Sequence, residues 1–322
     1  MPSSSTAPEG PGSVSGAPNL PSDLREGYAE IGDQQLHYVE AGEGPLVVLL
    51  HGFPEFWYGW RLQIGPLAAA GFRVVAPDMR GYNLSSRPKG VKAYDADQLT
   101  ADIRGLIQER GAESALLVGH DWGGTVAWDL AMSHPEVVDR LAILNAAHPR
   151  KLSQGLHHPG QLRKSWYFFF FDLPDLPESV VHANRWHFFR HFLHDARPAY
   201  TPEDIDRYIE AWSQPGAATG MINYYRSSVR QSPKKAEAAL RSIKAPTLVI
   251  WGERDRFLGP RTSRAPPRRR AQPGPRRAAA RCVALGPSRR GRARHPAAHR
   301  LLRPRPAHQQ PMTLGEVANR PG

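Results

Sequence analysis

Gly119-His120-Asp121-Trp122-Gly123-Gly124 follows the apolar run Ala115-Leu116-Leu117-Val118 and opens a stretch of helical spacing from Thr125 to Met132. An apolar strand, a tight glycine-rich turn and a helix make a nucleophile elbow. Small residues at 119 and 123 let the chain reverse sharply, so the central side chain points out at the top of a sheet. Here that side chain is the carboxylate of Asp121, not a hydroxyl. A carboxylate nucleophile attacks carbon and leaves an ester on the protein. The elbow therefore points to cleavage of an epoxide or a carbon–halogen bond rather than of an ester or amide.

Outward from the elbow, strands and helices alternate. Gln35 to Glu40 alternates as a strand, and Leu46-Val47-Val48-Leu49-Leu50 is a short β-branched run of the kind buried on both faces. Trp57 to Ala70 reads as a helix ended by Gly71, Arg73 to Asp78 as a strand, Asp97 to Gly111 as a helix, and Arg140 to Asn145 as a strand. This order predicts an α/β fold with a mostly parallel sheet covered on both faces. The alternation stops at about residue 147. From there to 232 the chain is rich in aromatics and helical in spacing, which predicts an inserted helical lid. An expected amphipathic helix, Pro233 to Ile243, and a strand, Ala245 to Glu253, resume the core. The expected organisation is a disordered tail at 1–24, core at 25–146, lid at 147–232, core again at 233–260, and an Arg/Pro-rich disordered segment at 261–322.

The 322 residues include eight Trp, ten Tyr and eleven Phe, enough for a sizeable core, and a single cysteine, Cys282, which forbids an intrachain disulfide. No apolar stretch approaches the roughly 18 residues of a membrane span. The Ser/Pro/Gly-rich start lacks the basic and apolar regions of a signal peptide, so the expectation is a cytoplasmic protein with no membrane partner. The net charge of +12 is unevenly placed. Residues 261–322 hold 16 Arg, no Lys and one acidic residue, Glu316, whereas residues 1–260 carry a net −3.

Several residues complete a candidate site. His51-Gly52-Phe53-Pro54 ends the buried strand at 46–50, where crevices form in open α/β sheets. Backbone N–H groups of Phe53 and Trp122 are placed to form an oxyanion hole. Asp255 follows the late strand, where it could orient a catalytic histidine. Tyr167 and Tyr225 are lid phenols that could donate to a leaving oxygen. His51, Pro54 and Trp122 are expected around the substrate pocket.

The segments His51-Gly52-Phe53-Pro54-Glu55-Phe56-Trp57-Tyr58-Gly59-Trp60-Arg61, Asp78-Met79-Arg80-Gly81-Tyr82 and Gly119-His120-Asp121-Trp122-Gly123-Gly124 resemble the α/β-hydrolase-fold epoxide hydrolases, over about residues 25 to 260. The resemblance implies Asp121 as the alkylating nucleophile and Asp255 as the relay acid. Tyr167 and Tyr225 match the two lid tyrosines. It also implies a small apolar epoxide as substrate, no cofactor or metal, and a monomer or homodimer. Asn83 stands where the family has glycine, a difference expected to affect only its loop. Haloalkane dehalogenases share the Asp-Trp elbow but carry Asn after His-Gly, where this chain has Phe53. Fluoroacetate dehalogenases have Arg after the nucleophile, where this chain has Trp122.

Beyond Pro260 the pattern of the family, one more strand, a catalytic histidine and a final helix, is not recognisable. Residues 261–322 contain no Trp, Tyr, Phe or Ile and ten prolines, a composition that resists helix and strand alike. Read one nucleotide later, Arg281 through Arg290 can encode Asp-Ala-Ser-His-Trp-Val-His-His-Asp-Glu, close to the histidine loop the resemblance requires. The hypothesis is a frameshift near Pro260. The rival is an Arg-rich arm for polyanions, but it lacks aromatics for base stacking, so no specific nucleic-acid partner is expected. A further alternative is a catalytically dead ligand-binding homologue. Sequencing the gene distinguishes the frameshift: a shifted frame that meets an early stop or lacks the histidine sinks it.

Overall fold

The computed structural model describes residues 20–193, 200–252 and 255–259. The segment at 261–322 and its alternative reading frame lie outside these residues, as does most of the expected N-terminal tail. Residues 20–24 form a turn, with Leu24 N–H donating to the Pro21 carbonyl, 3.1 Å, and Asp23 accepting from Gly42 N–H at 2.9 Å.

Seven strands make one sheet: β1 (Arg25–Ile31), β2 (Gln34–Ala41), β3 (Leu46–Leu50), β4 (Arg73–Pro77), β5 (Ala115–His120), β6 (Val138–Leu144) and β7 (Thr247–Ile250), in the order β1-β2-β4-β3-β5-β6-β7. The β1–β2 and β2–β4 pairs are antiparallel and all the others are parallel. Successive side chains of a strand face opposite sides, and all five residues of β3 are buried, so both faces of the central sheet are covered. The covering helices are α1 (Arg61–Ala69), α2 (Ala96–Glu109) and α3 (Asp121–Ser133). On α2 the buried positions Leu99, Ile103, Leu106 and Ile107 recur at helical spacing, which turns one stripe to the sheet.

The expected elements recur with local differences. The helix expected from Trp57 begins as a 3-10 turn, Trp57–Trp60, before α1. The strand β1 is not apparent in the sequence because it is an edge: only Ala29 of its seven residues is buried, so it shows little hydrophobic pattern. Its register follows from a two-residue turn, with Ile31 opposite Gln34 and Gly32 at φ +62°. At the other edge, all four residues of β7 are half-buried, and its one strand neighbour among the described residues is β6.

Among the described residues, six helices lie between β6 and residue 232: α4 (Pro149–Leu156), α5 (Pro159–Lys164), α6 (Trp166–Asp172), α7 (Leu176–Leu193), α8 (Pro202–Trp212) and α9 (Ala217–Arg230). The helix α7 is broken at Ala183–Trp186, where three residues in succession have positive φ. A capping box at Thr201 and Asp204 starts α8. The short α10 (Pro233–Ala239) leads back to the sheet and ends four residues before Ile243, the expected limit. No helix among the described residues is long and apolar enough to cross a membrane.

Behind β4 a buried polar knot joins the N-terminal hairpin to the loops that lead to the site. The Asp78 carboxylate accepts from His37 Nδ1 at 2.7 Å, from Trp57 N–H at 3.0 Å and from Asn83 Nδ2 at 2.8 Å. Asn83 therefore does more than shape its loop. It tolerates φ +40° where glycine would be easiest, and its amide also closes onto Asp78. Burial works against a charge on His37, but Asp78, helped by Glu26, overrides it and pushes the pKa up to about 9. A folded-state pKa above the ordinary 6.5 stabilises the fold fully below about pH 6.5 and ceases to do so as pH rises through about 9. We expect unfolding experiments to show stability falling over that interval by up to about 3 kcal/mol. The variant H37N, less stable at pH 6, should lack most of that decline.

Candidate active site

The site forms where β3 and β5, parallel neighbours, both end. Asp121 sits at the β5–α3 junction with φ +50°, a left-handed conformation unusual for a residue with a side chain. The turn can be this tight because its glycines have no Cβ. At Gly123 a Cβ would collide with the carbonyl oxygens of Leu50 and His51; at Gly119 it would collide with the backbone of Gly123. Gly123 N–H instead donates to the His51 carbonyl at 3.0 Å, which pins the elbow to the loop after β3.

That pinning aims two backbone donors at one carboxylate. Phe53 N–H donates to Asp121 Oδ1 at 2.9 Å, and Trp122 N–H also bonds the carboxylate. Burial raises the Asp121 pKa, while His120 and the two N–H groups pull it back. His120 Nδ1 donates to Glu55 Oε2 at 3.0 Å. Although burial opposes its charge, Glu55, with Asp121 and Asp255 adding, pushes the His120 pKa up to about 9. Glu55 in turn stays below the ordinary carboxylate range despite its burial, chiefly through the bond from His120.

A cavity of about 170 Å³ opens over Asp121 and brings Tyr167 from α6 and Tyr225 from α9 to the same space as Asp255. Both phenols are held well above their ordinary pKa, first by burial and then by the Asp121 carboxylate. They remain neutral donors at pH 7. The rings pack against each other with centroids 5.6 Å apart, and the Trp122 side chain hydrogen-bonds the Tyr225 hydroxyl. Asp255 Oδ1 accepts from Phe257 N–H and Leu258 N–H, each at 2.7 Å, and Oδ2 accepts from Asn145 Nδ2. No histidine among the described residues is hydrogen-bonded to Asp255.

Of the other expected pocket residues, His51 and Pro54 stand behind the cavity wall. His51 Nε2 accepts from Met79 N–H at 2.9 Å, and burial lowers its pKa, so it is a neutral brace. The Pro54 carbonyl accepts from Trp212 Nε1 at 2.5 Å, and Trp122 packs edge-on to Tyr225. Sequence reasoning missed Glu55, Asn145, Phe192 and Phe257, which line the cavity. Glu55 had a signal, its place directly after His51-Gly52-Phe53-Pro54; Asn145 and the two phenylalanines had none. No group of His, Cys, Asp or Glu among the described residues could hold a metal ion.

An aspartate on a strand–turn–helix elbow, with two backbone donors on its carboxylate and an inserted helical segment above it, is the arrangement of an α/β hydrolase. Residues 45–277 match the alpha/beta hydrolase fold family model, and the chain belongs to that family. It is 46% identical over 228 residues to the AB hydrolase superfamily protein YfhM of Bacillus subtilis, covering 69% of this chain and 79% of that one. With epoxide hydrolase 4 of Mus musculus it shares 39% identity over 72% of this chain and 66% of the relative's length, just under two thirds. The crystal structure of Bacillus megaterium epoxide hydrolase in complex with an inhibitor superposes with a TM-score of 0.66 at 31% identity, covering 73% and 86% of the two chains. The chain is a hydrolase of the epoxide hydrolase type.

The elbow gives a direct test. G123A adds a methyl group between two carbonyl oxygens that cannot both retreat. It should destabilise the protein by about 1–3 kcal/mol or more, or abolish soluble expression. Thermal unfolding against G160A, where a Cβ meets nothing within 4 Å, checks this.

Proposed function

We propose that this chain opens small apolar epoxides through an alkyl ester on Asp121. An Asp121 carboxylate oxygen attacks a ring carbon from behind, and the carbon–oxygen bond of the ring breaks. The departing oxygen takes a proton from Tyr167 or Tyr225. The observation that carries the reading is the convergence of two neutral phenols and one desolvated carboxylate on a single cavity. A carboxylate stripped of water is a stronger nucleophile, and a donor aimed at the developing alkoxide stabilises the transition state.

In the second half-reaction water attacks the ester carbonyl, and Phe53 N–H and Trp122 N–H hold the oxyanion. The base that deprotonates this water would be a histidine oriented by Asp255. Neither the described residues nor the composition of 261–322 supplies one in recognisable form. We therefore propose that the 322-residue chain alkylates once and stalls, for want of general-base help worth roughly 10²–10⁴-fold.

Incubating the purified chain with styrene oxide and measuring intact mass should reveal one adduct, mapped to Asp121 and absent from D121N. Sustained diol release by the 322-residue chain would refute the stall. Y167F and Y225F should each slow adduct formation by roughly 10–100-fold, as expected for loss of a transition-state donor. Because burial raises the Asp121 pKa, alkylation should fade on acidification at a higher pH than the ordinary aspartate value of 3.8. A fade at or below that value counts against Asp121 as the attacking group.

A further inference from the structure

Two of the segments that line the cavity over Asp121 lie far apart in sequence. One is the start of α6, which carries Tyr167; the other is the loop 255–259, which carries Asp255 and Phe257. A buried amide bonds to both. Gln161 of α5, only 7% exposed, donates from Nε2 to the Phe257 carbonyl at 2.8 Å and to Ser165 Oγ at 3.0 Å. Its Oε1 accepts from Gly259 N–H at 2.9 Å. Both amide hydrogens and the amide oxygen are thus engaged, and the amide's orientation follows from its partners: oxygen toward an N–H, nitrogen toward a carbonyl.

We infer that Gln161 is a positioning residue for the reaction proposed above, and the inference rests on that reading. It bridges two backbone groups of the 255–259 loop, two residues apart, as a neighbouring strand would. Ser165, 1% exposed, is the residue before α6 and two residues before Tyr167. A shift of the loop is therefore passed toward the phenol through the Gln161 side chain, alongside the direct contact of Phe257 with Tyr167. Lys164 Nζ adds a bond to the Asp255 carbonyl at 2.8 Å, and Asn145 bridges Asp255 and Gly252 N–H from the end of β6. Those bonds hold Asp255 itself. Of these three, Gln161 is the one whose side chain bonds both the loop and Ser165, while Lys164, the last residue of α5, adds a second tie from the loop to the chain just before α6. The effect of Gln161 on the cavity runs through Phe257, whose ring stacks on Phe192 at 5.2 Å and meets Tyr167 edge-on at 5.6 Å.

Burial explains why glutamine suits this position. A buried amide that lost its partners would carry the cost of an unsatisfied polar group, so each of the three bonds helps hold the amide in place. Glutamate keeps the size and the acceptor for Gly259 but places a carboxylate oxygen against the Phe257 carbonyl. Alanine removes all three bonds.

The test compares the full chain with Q161E, Q161A and S165A. It uses single-turnover alkylation of Asp121 by styrene oxide followed by intact mass, together with hydrogen exchange in the same samples. Both Gln161 variants should lower the limiting alkylation rate about tenfold, with the half-saturating epoxide concentration changed by less than about threefold, because misplacement acts on reactive geometry more than on binding. Exchange should accelerate in 255–259 and stay unchanged in 119–124. S165A should lower the rate while leaving exchange in 255–259 at its wild-type value. Wild-type rates in both Gln161 variants overturn the inference, as does a rate loss that tracks only the fraction of folded protein. Should Q161A fail to fold, Q161E decides. If the wild-type chain gains no adduct, the alkylation reading fails separately, and the exchange arm still judges the clamp: no local acceleration in Q161E removes it.

Discussion

Everything distinctive about this site depends on one close approach, the backbone of Gly123 against the carbonyl oxygens of Leu50 and His51. Parallel pairing of β3 with β5 brings the two strand ends level, and the absence of a Cβ lets the elbow press against the neighbouring loop. Asp121 then has to adopt a left-handed backbone, and its carboxylate comes to lie under the Phe53 N–H. The strain at Asp121 is tolerated because strand pairing, the Gly123–His51 bond and two backbone donors all specify the same geometry.

Charge is arranged around that carboxylate in layers. Nearest are backbone N–H groups, which carry no net charge and cannot be titrated away. Beyond them is the His120–Glu55 pair, a cation beside the carboxylate with its own counter-ion on the far side. Farther out, His51 is neutral and simply braces Met79, while the cationic His37 is neutralised by Asp78. The three histidines, His37 and His51 buried and His120 partly exposed, thus serve three electrostatic roles, and what separates them is chiefly the nearest carboxylate. His51 has none in hydrogen-bond contact and is neutral; His37 and His120 each have one and are charged.

The helical insertion completes the cavity mainly through aromatic packing. Phe53 meets Phe171, Phe189, Phe192 and Tyr225 within ring-centroid distances of 5.0–5.4 Å, so the residue that donates its N–H to Asp121 also anchors the insertion with its side chain. The same residue links the chemistry to the packing. This explains why the aromatic-rich stretch between 147 and 232 needs no strands of its own: apart from the exposed Trp166 and Phe169, its rings pack chiefly on one another and on the loop that follows β3.

Much of this was legible in the sequence. Short β-branched runs, glycine-punctuated turns and helical spacing specify the parallel sheet and the elbow, because they are local constraints on backbone and burial. Asp121, Phe53, Trp122, Tyr167, Tyr225 and Asp255 could be nominated from motif and position. Edge strand β1 could not, since an edge buries little and leaves no periodic trace. Nor could the partnerships of Glu55 with His120, of Asn145 with Asp255, or of Gln161 with Phe257 and Gly259. Each joins residues between 65 and 110 positions apart, and no local pattern encodes which distant groups will meet. The sequence by itself determined the fold class and that a carboxylate stands at the elbow. Only the tertiary structure decided which side chains surround that carboxylate and in what charge state, because both depend on burial and on neighbours that folding alone brings together.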